Sequence, residues 1–135
     1  MNEPKQLVLD YINSVWNKND ADALMNLTTT DFIYHFGDKL KFDHQGFLKF
    51  LSSMYEAFPD WNVKPVQIIS ENDMVAVQWS GEVTHNGVFH GIQPTGKKIT
   101  VSGINIYKVK DGKIEAEWEQ TDTISILSQL GALPA

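Results

Sequence analysis

Apolar side chains recur at helical spacing through the first half of the chain and at every second position through much of the rest, so helices are expected to precede strands. Leu7, Val8, Tyr11, Ile12, Val15 and Trp16 form one stripe three and four residues apart, with Pro4 suited to a first helical turn. This helix should end near Asn17-Lys18-Asn19. Asp20 can cap a short second helix carrying Ala23, Leu24 and Leu27, and Thr28-Thr29-Thr30-Asp31 separates it from the aromatic run Phe32-Ile33-Tyr34-His35-Phe36. A third helix is predicted from about His44 to Ala57, burying Phe47, Leu48, Leu51, Met54 and Tyr55 and stopping before Pro59.

After Pro59 the period changes to two. Val63 to Ile69 reads as a strand with an edge segment at Pro65, and Asn72-Asp73 turns it into a second strand from Met74 to His85. In that strand Val75, Val77, Trp79 and Val83 share one side. Asn86-Gly87 is a type I′ turn signal that would pair Val83 with His90 and put this histidine on the Trp79 face. A long strand from Ile99 to Val109 follows, and Asp111-Gly112 is a second type I′ signal. Thr123 to Leu130 reads as a final helix closed by Gly131.

Strict alternation from Asp111-Gly112 puts Ile114, Ala116, Trp118, Gln120 and Asp122 inward and Glu115, Glu117 and Glu119 in water. The same register sets Asn105 and Tyr107 on the inner surface beside them. Buried polar groups cost roughly 1–3 kcal/mol each unless satisfied, so such a surface implies a closed hydrogen-bond network or a cavity. Asp122 is the candidate general acid/base. It also stands at a helix N-cap position, and the two roles are compatible. Helices first and an antiparallel sheet afterwards give an α+β domain, with no linker or repeat dividing residues 1–135. Ile104, Ile106 and Phe89 are expected on the opposite sheet face, which favours a homodimer formed through it.

A chain of 135 residues can enclose one small cavity. The net charge of −6 argues against nucleic acid or an anionic membrane as a partner. The absence of cysteine removes thiolate chemistry and thiolate metal sites. His44 and His85 are expected to face solvent at a helix start and a turn, and no histidine spacing matches a zinc motif, so no metal site is expected. The first residues lack the charged and apolar regions of a signal peptide, and no apolar run reaches membrane length, which makes a soluble cytoplasmic protein the expectation.

Four stretches carry a resemblance: Ala57-Phe58-Pro59-Asp60-Trp61, the segment from Gly87 to Gly96, Asp111-Gly112-Lys113-Ile114, and Trp118-Glu119-Gln120-Thr121-Asp122 followed by Leu127 to Pro134. Together they resemble the SnoaL-like polyketide cyclases, or predicted ester cyclases, of the NTF2-like superfamily. The resemblance implies a cone in which N-terminal helices pack on a curved antiparallel sheet, often dimeric through its sheets. It further implies an intramolecular aldol condensation needing neither metal nor organic cofactor, with the acid/base aspartate matching Asp122. In an anthracycline cyclase of this family an aromatic hydroxyl falls near Trp16 and a supporting asparagine near Leu51 to Ser53, and this chain has neither group there.

The expected activity is therefore cofactor-independent cyclase or isomerase chemistry on a small polyketide-like or cyclic carbonyl compound. The alternative is a non-catalytic binder of a small hydrophobic ligand. Trp118, Gln120, Asn105, Tyr107, His90 and Trp79 are the expected substrate contacts, joined by Trp16 and by Tyr34 and His35 at a pocket lip.

Overall fold

The computed structural model of the chain describes residues 3–133. Helix α1 (Glu3–Tyr11) continues into a widened π-helical turn, Ile12–Trp16, in which the Asn17 amide donates to the Ile12 carbonyl. Residues five apart stand about 140° apart around an α-helix. The wider turn reduces that angle, and it lets Tyr11 and Trp16 address one group. The Asn17 side chain then fixes the end of the turn by bonding both backbone groups of Val63, at 2.8 and 2.9 Å.

Helix α2 (Ala21–Leu27) is capped by Asp20 and helix α3 (His44–Ala57) by Asp43, each carboxylate accepting from an amide three residues on. The strands are β1 (Thr28–Phe36), β2 (Leu40–Phe42), β3 (Lys64–Glu71), β4 (Met74–Thr84), β5 (Lys98–Lys110) and β6 (Lys113–Thr121), followed by α4 (Thr123–Gln129). They form one sheet in the order β2-β1-β6-β5-β4-β3. The expected antiparallel sheet is in fact mixed, because the aromatic run Phe32 to Phe36 forms a strand that pairs parallel with β6. Its alternation buries Phe32 and Tyr34 among the helices and turns His35 outward. The last part of the tail motif, Pro134, lies outside the described residues.

The register of β6 departs from strict alternation. Lys110 pairs with Lys113 and Val109 with Ile114, as the turn dictates, but Lys108 pairs with Ala116. Glu115 is therefore an extra residue, a bulge that the ammonium groups of Lys108 and Lys110 approach at 3.8 and 3.7 Å. Every side chain beyond it changes face. Glu117 and Glu119 point into the protein, opposite Tyr107 and Asn105, while Trp118 and Gln120 lie outside opposite Ile106 and Ile104.

The Asn86-Gly87 hairpin is also corrected. Strand β4 pairs directly with β5, with Val83 opposite Ile99. The amides of Asn86 and Gly87 instead donate to the Ala57 carbonyl at the end of α3. Only glycine fits this approach, since a Cβ on Gly87 would lie 1.9 Å from the Glu56 carbonyl oxygen. The tight turn comes later, at His90-Gly91, where φ is 47° and 77° and Phe89 and Ile92 exchange both backbone bonds. Phe89 is thus buried against Phe58, with ring centroids 5.2 Å apart, and does not join the outer face. His85, expected in solvent, is fully buried and bonds Thr95 through Nδ1.

Candidate active site

Glu117 has no exposed surface and is in none of the ion pairs seen among the described residues, so hydrogen-bond donors must stabilise its carboxylate. The Tyr11 hydroxyl donates to Oε1 at 2.6 Å, and Trp16 Nε1 and Asn105 Nδ2 donate to Oε2 at 2.9 and 2.8 Å. Tyr107 faces Glu117 across the β5–β6 pair, and burial together with the Glu117 charge keeps its hydroxyl protonated. The orientation of Asn105 is fixed independently, because Trp79 Nε1, which can only donate, bonds its Oδ1 at 2.8 Å. Burial pushes the Glu117 pKa up, and these donors pull it back.

Glu119 lies two residues along the same inner face, 5% exposed. Tyr34 donates to its Oε1 at 2.6 Å and Thr121 to its Oε2. Burial is the main reason its pKa is raised to about 7, and the neighbouring Glu117 charge adds to the rise. Tyr34, desolvated and beside two carboxylates, has its own pKa pushed far up and stays a donor.

Two cavities meet at Glu119 and Trp61. The larger, about 320 Å³, has apolar walls from Phe36, Leu40, Phe50, Met54, Val88, Phe89 and Ile126. Its other lining residues are Ser53, His90, Thr121 and Thr123 together with Glu119 and Trp61. The smaller, about 10 Å³, lies among Trp16, Trp61, Trp79, Asn105 and Tyr107 and is the size of one water molecule. One ionisable carboxyl with a near-neutral pKa therefore borders an apolar cavity of ligand size.

The residues singled out from the sequence divide by face. Asn105, Tyr107, Trp79, Trp16 and Tyr34 surround the two glutamates, and the first four also line the small cavity. His90 borders the large cavity from an exposed turn. Trp118 and Gln120 are on the outer face, where Trp118 stacks on His35 with centroids 5.0 Å apart and planes 9° apart. Burial, helped by nearby Lys41, lowers the His35 pKa. Asp122 is exposed and caps α4, accepting from the Ser125 amide at 3.0 Å.

Glu117, Glu119, Thr121 and Trp61 were not singled out as site residues. A signal for the glutamates was present. Strict alternation sets Ile104 and Ile106 opposite Glu119 and Glu117, whereas a one-residue bulge gives them Gln120 and Trp118 and gives both carboxylates polar partners. Among the described residues no group of three or more His, Asp or Glu side chains could hold a metal ion.

The chain is similar in structure to AclR from Streptomyces galilaeus, provisionally named a hydroxylase, with a TM-score of 0.87, 28% identity, and coverage of 98% of this chain and 87% of that one. It is also similar to IdmH from Streptomyces antibioticus, provisionally named a polyketide cyclase, with a TM-score of 0.85, 27% identity, and coverage of 96% and 99%. A SnoaL-like protein from Jannaschia sp. CCS1 superposes with a TM-score of 0.88 over 98% of this chain and 94% of its own, at 21% identity. Among curated proteins none matches. The profile of the SnoaL-like polyketide cyclases matches residues 6–130, nearly the whole length, and the chain belongs to that family.

Proposed function

We propose that the protein catalyses a cofactor-independent proton transfer leading to ring closure or isomerisation of a small carbonyl compound, with Glu119 as the acid/base. The observation that carries this reading is the Glu119 carboxyl, with a pKa of about 7, at the wall of the apolar 320 Å³ cavity. Ionised Glu119 removes a proton from a carbon beside a carbonyl group. The enolate carbon then bonds to a second carbonyl carbon in the same molecule, and the new alkoxide takes the proton back from Glu119. In this reading the developing oxyanion accepts from His90 and from the Thr123 hydroxyl, whose bond to the Thr121 carbonyl is long at 3.5 Å, while the Thr121 hydroxyl stays on Glu119. The volume is at the low end of ligand pockets, roughly 300–1,000 Å³, and favours a substrate of one or two rings. We propose in addition that the protein is a homodimer through its outer sheet face.

The family motif ending in Asp122 supports a competing assignment, with that aspartate as the acid/base. One experiment separates the two. Aryl-substituted 1,3-diketones are followed by NMR for exchange of the acidic C–H and for cyclisation. Glu119→Gln should lower the rate by about 10²–10⁴, the range for loss of a general acid/base, while Asp122→Asn should change it only a few-fold. The reverse result assigns the chemistry to Asp122. Tight binding of the diketones without exchange by the unaltered protein would leave a ligand-binding protein.

A further inference from the structure

The assignment of Glu119 leaves Glu117 without a task, although it is the more deeply buried carboxylate and has the more elaborate set of partners. Its Oε2 receives two N–H bonds, from Trp16 and from Asn105, and neither of those groups can accept a proton in return. The Trp79 indole holds the Asn105 amide in that orientation. The Tyr11 hydroxyl donates to the other oxygen, Oε1, at 2.6 Å. These donors oppose the rise that burial imposes on the Glu117 pKa, and a proton could be carried only on Oε1, with the Tyr11 hydroxyl turned to accept, because Oε2 faces two N–H groups.

We infer that Glu117 is a positioning residue for the chemistry proposed for Glu119, a fixed negative charge two residues away on the same inner face that keeps Glu119 available to hold a proton. This rests on the acid/base reading of Glu119. The groups facing Glu119 leave Glu117 as the charged neighbour in the site. Tyr34 from β1 and Tyr107 from β5 are neutral, Asn105 and Thr121 are uncharged, and among the described residues no lysine lines either cavity. Among the described residues His90, on the loop across the larger cavity, is the other titratable side chain in its lining.

The π-helical turn has a reason in this arrangement. It brings Tyr11 and Trp16 to the two oxygens of one carboxylate, so a helical irregularity maintains the charge and the charge sets the proton affinity of its neighbour. Glu119 lines both cavities, whereas Glu117 lies outside both linings.

The test is a titration of the glutamate side-chain carboxyl carbons by NMR in the substrate-free protein, which reads the two groups separately and needs no turnover. In the unaltered chain Glu117 should remain ionised across the pH range in which Glu119 takes up its proton. In Glu117→Gln the Glu119 midpoint should fall by about one pH unit or more, as expected for removal of a near charge, and the limb of any pH–rate profile that reports Glu119 should move the same way. An unmoved midpoint overturns the inference. If the variant does not fold, Glu117 protonating at or above the Glu119 midpoint in the unaltered chain overturns it equally. Normal turnover by Glu119→Gln would remove the catalytic reading while leaving this titration as it stands.

Discussion

Glu119 destabilises the fold whenever it is ionised, and this can be measured without a substrate. In the folded chain its carboxyl holds a proton up to about 7, against an ordinary value of 4.5. Between those values the folded state binds more protons than the unfolded one, so stability falls as pH rises. The contribution is complete below the ordinary value and lost as pH passes through the folded one. It amounts to something on the order of 3 kcal/mol. Glu117, also raised by burial, should act with the same sign at lower pH, below the range in which Glu119 takes up its proton. Urea denaturation should therefore show stability decreasing from about pH 4.5 to pH 7, the window in which folded and unfolded carboxyls differ, and levelling off above it. Glu119→Gln should flatten most of that decrease and be more stable than the parent at the alkaline end. An equally steep decrease in the variant would mean that another group titrates in this window. The exposed Asp31 and Asp60 have lowered pKa values and act at lower pH with the opposite sign.

Helices and strands were legible in the chain to the extent that their apolar periods were unbroken. Helix α3 and the inner faces of β4 and β5 follow the sequence pattern because each alternates, or repeats at helical spacing, without interruption. The inner position of Asn105, Tyr107 and Trp79 was legible for the same reason. Strand β6 was not, because a bulge adds one residue without changing composition, and the buried acids are the two glutamates beyond it. The segment after β4 was misread for a different reason. Asn-Gly predicts a hairpin when strands flank it, but Asn86-Gly87 meets the end of α3, a tertiary contact that local chemistry does not encode. This docking gives a prediction for the element. In Gly87→Ala the new methyl group would press on the backbone of Glu56 and Ala57, at 1.9 Å from the carbonyl oxygen and 3.1 Å from the Ala57 Cα, and backbone gives way less readily than a flexible side chain. The loop should detach at a cost of about 1–3 kcal/mol, as for an overpacked core. Because Val88, Phe89 and His90 border the large cavity, affinity for an apolar ligand should fall with it. Denaturation and a ligand titration on the same preparation check both, and unchanged stability would show that the loop tolerates the shift.

The whole molecule has one sheet face covered by helices and one that is not. The outer face carries Ile69, Met74, Ile104 and Ile106 exposed, with Trp118 half-buried beside His35. Met74, Ile104, Ile106, Trp118 and Gln120 together border a shallow depression. The bulge that carries Glu117 and Glu119 inward also turns Trp118 outward, so one irregularity supplies both the inner acids and an aromatic group in the outer patch. Facing glutamates, as strict alternation would require, would repel a second copy across a twofold axis. Isoleucine and tryptophan are suited to self-association. A stable pair needs roughly 800 Å² from each partner, an area that extends beyond this depression onto neighbouring strands. Sedimentation should find a dimer at micromolar concentration, and the double variant Ile104→Lys/Ile106→Lys should be a folded monomer, since both side chains already reach solvent in the single chain and their replacement opens no core cavity. Helical and sheet signals in circular dichroism should be retained. A monomer from the unaltered chain would refute association through this face, and a dimer that survives both lysines would place the contact elsewhere. Glu119 lies on the opposite side of the sheet, so a monomeric variant that keeps its Glu119 titration would show that association and the acid site are energetically independent.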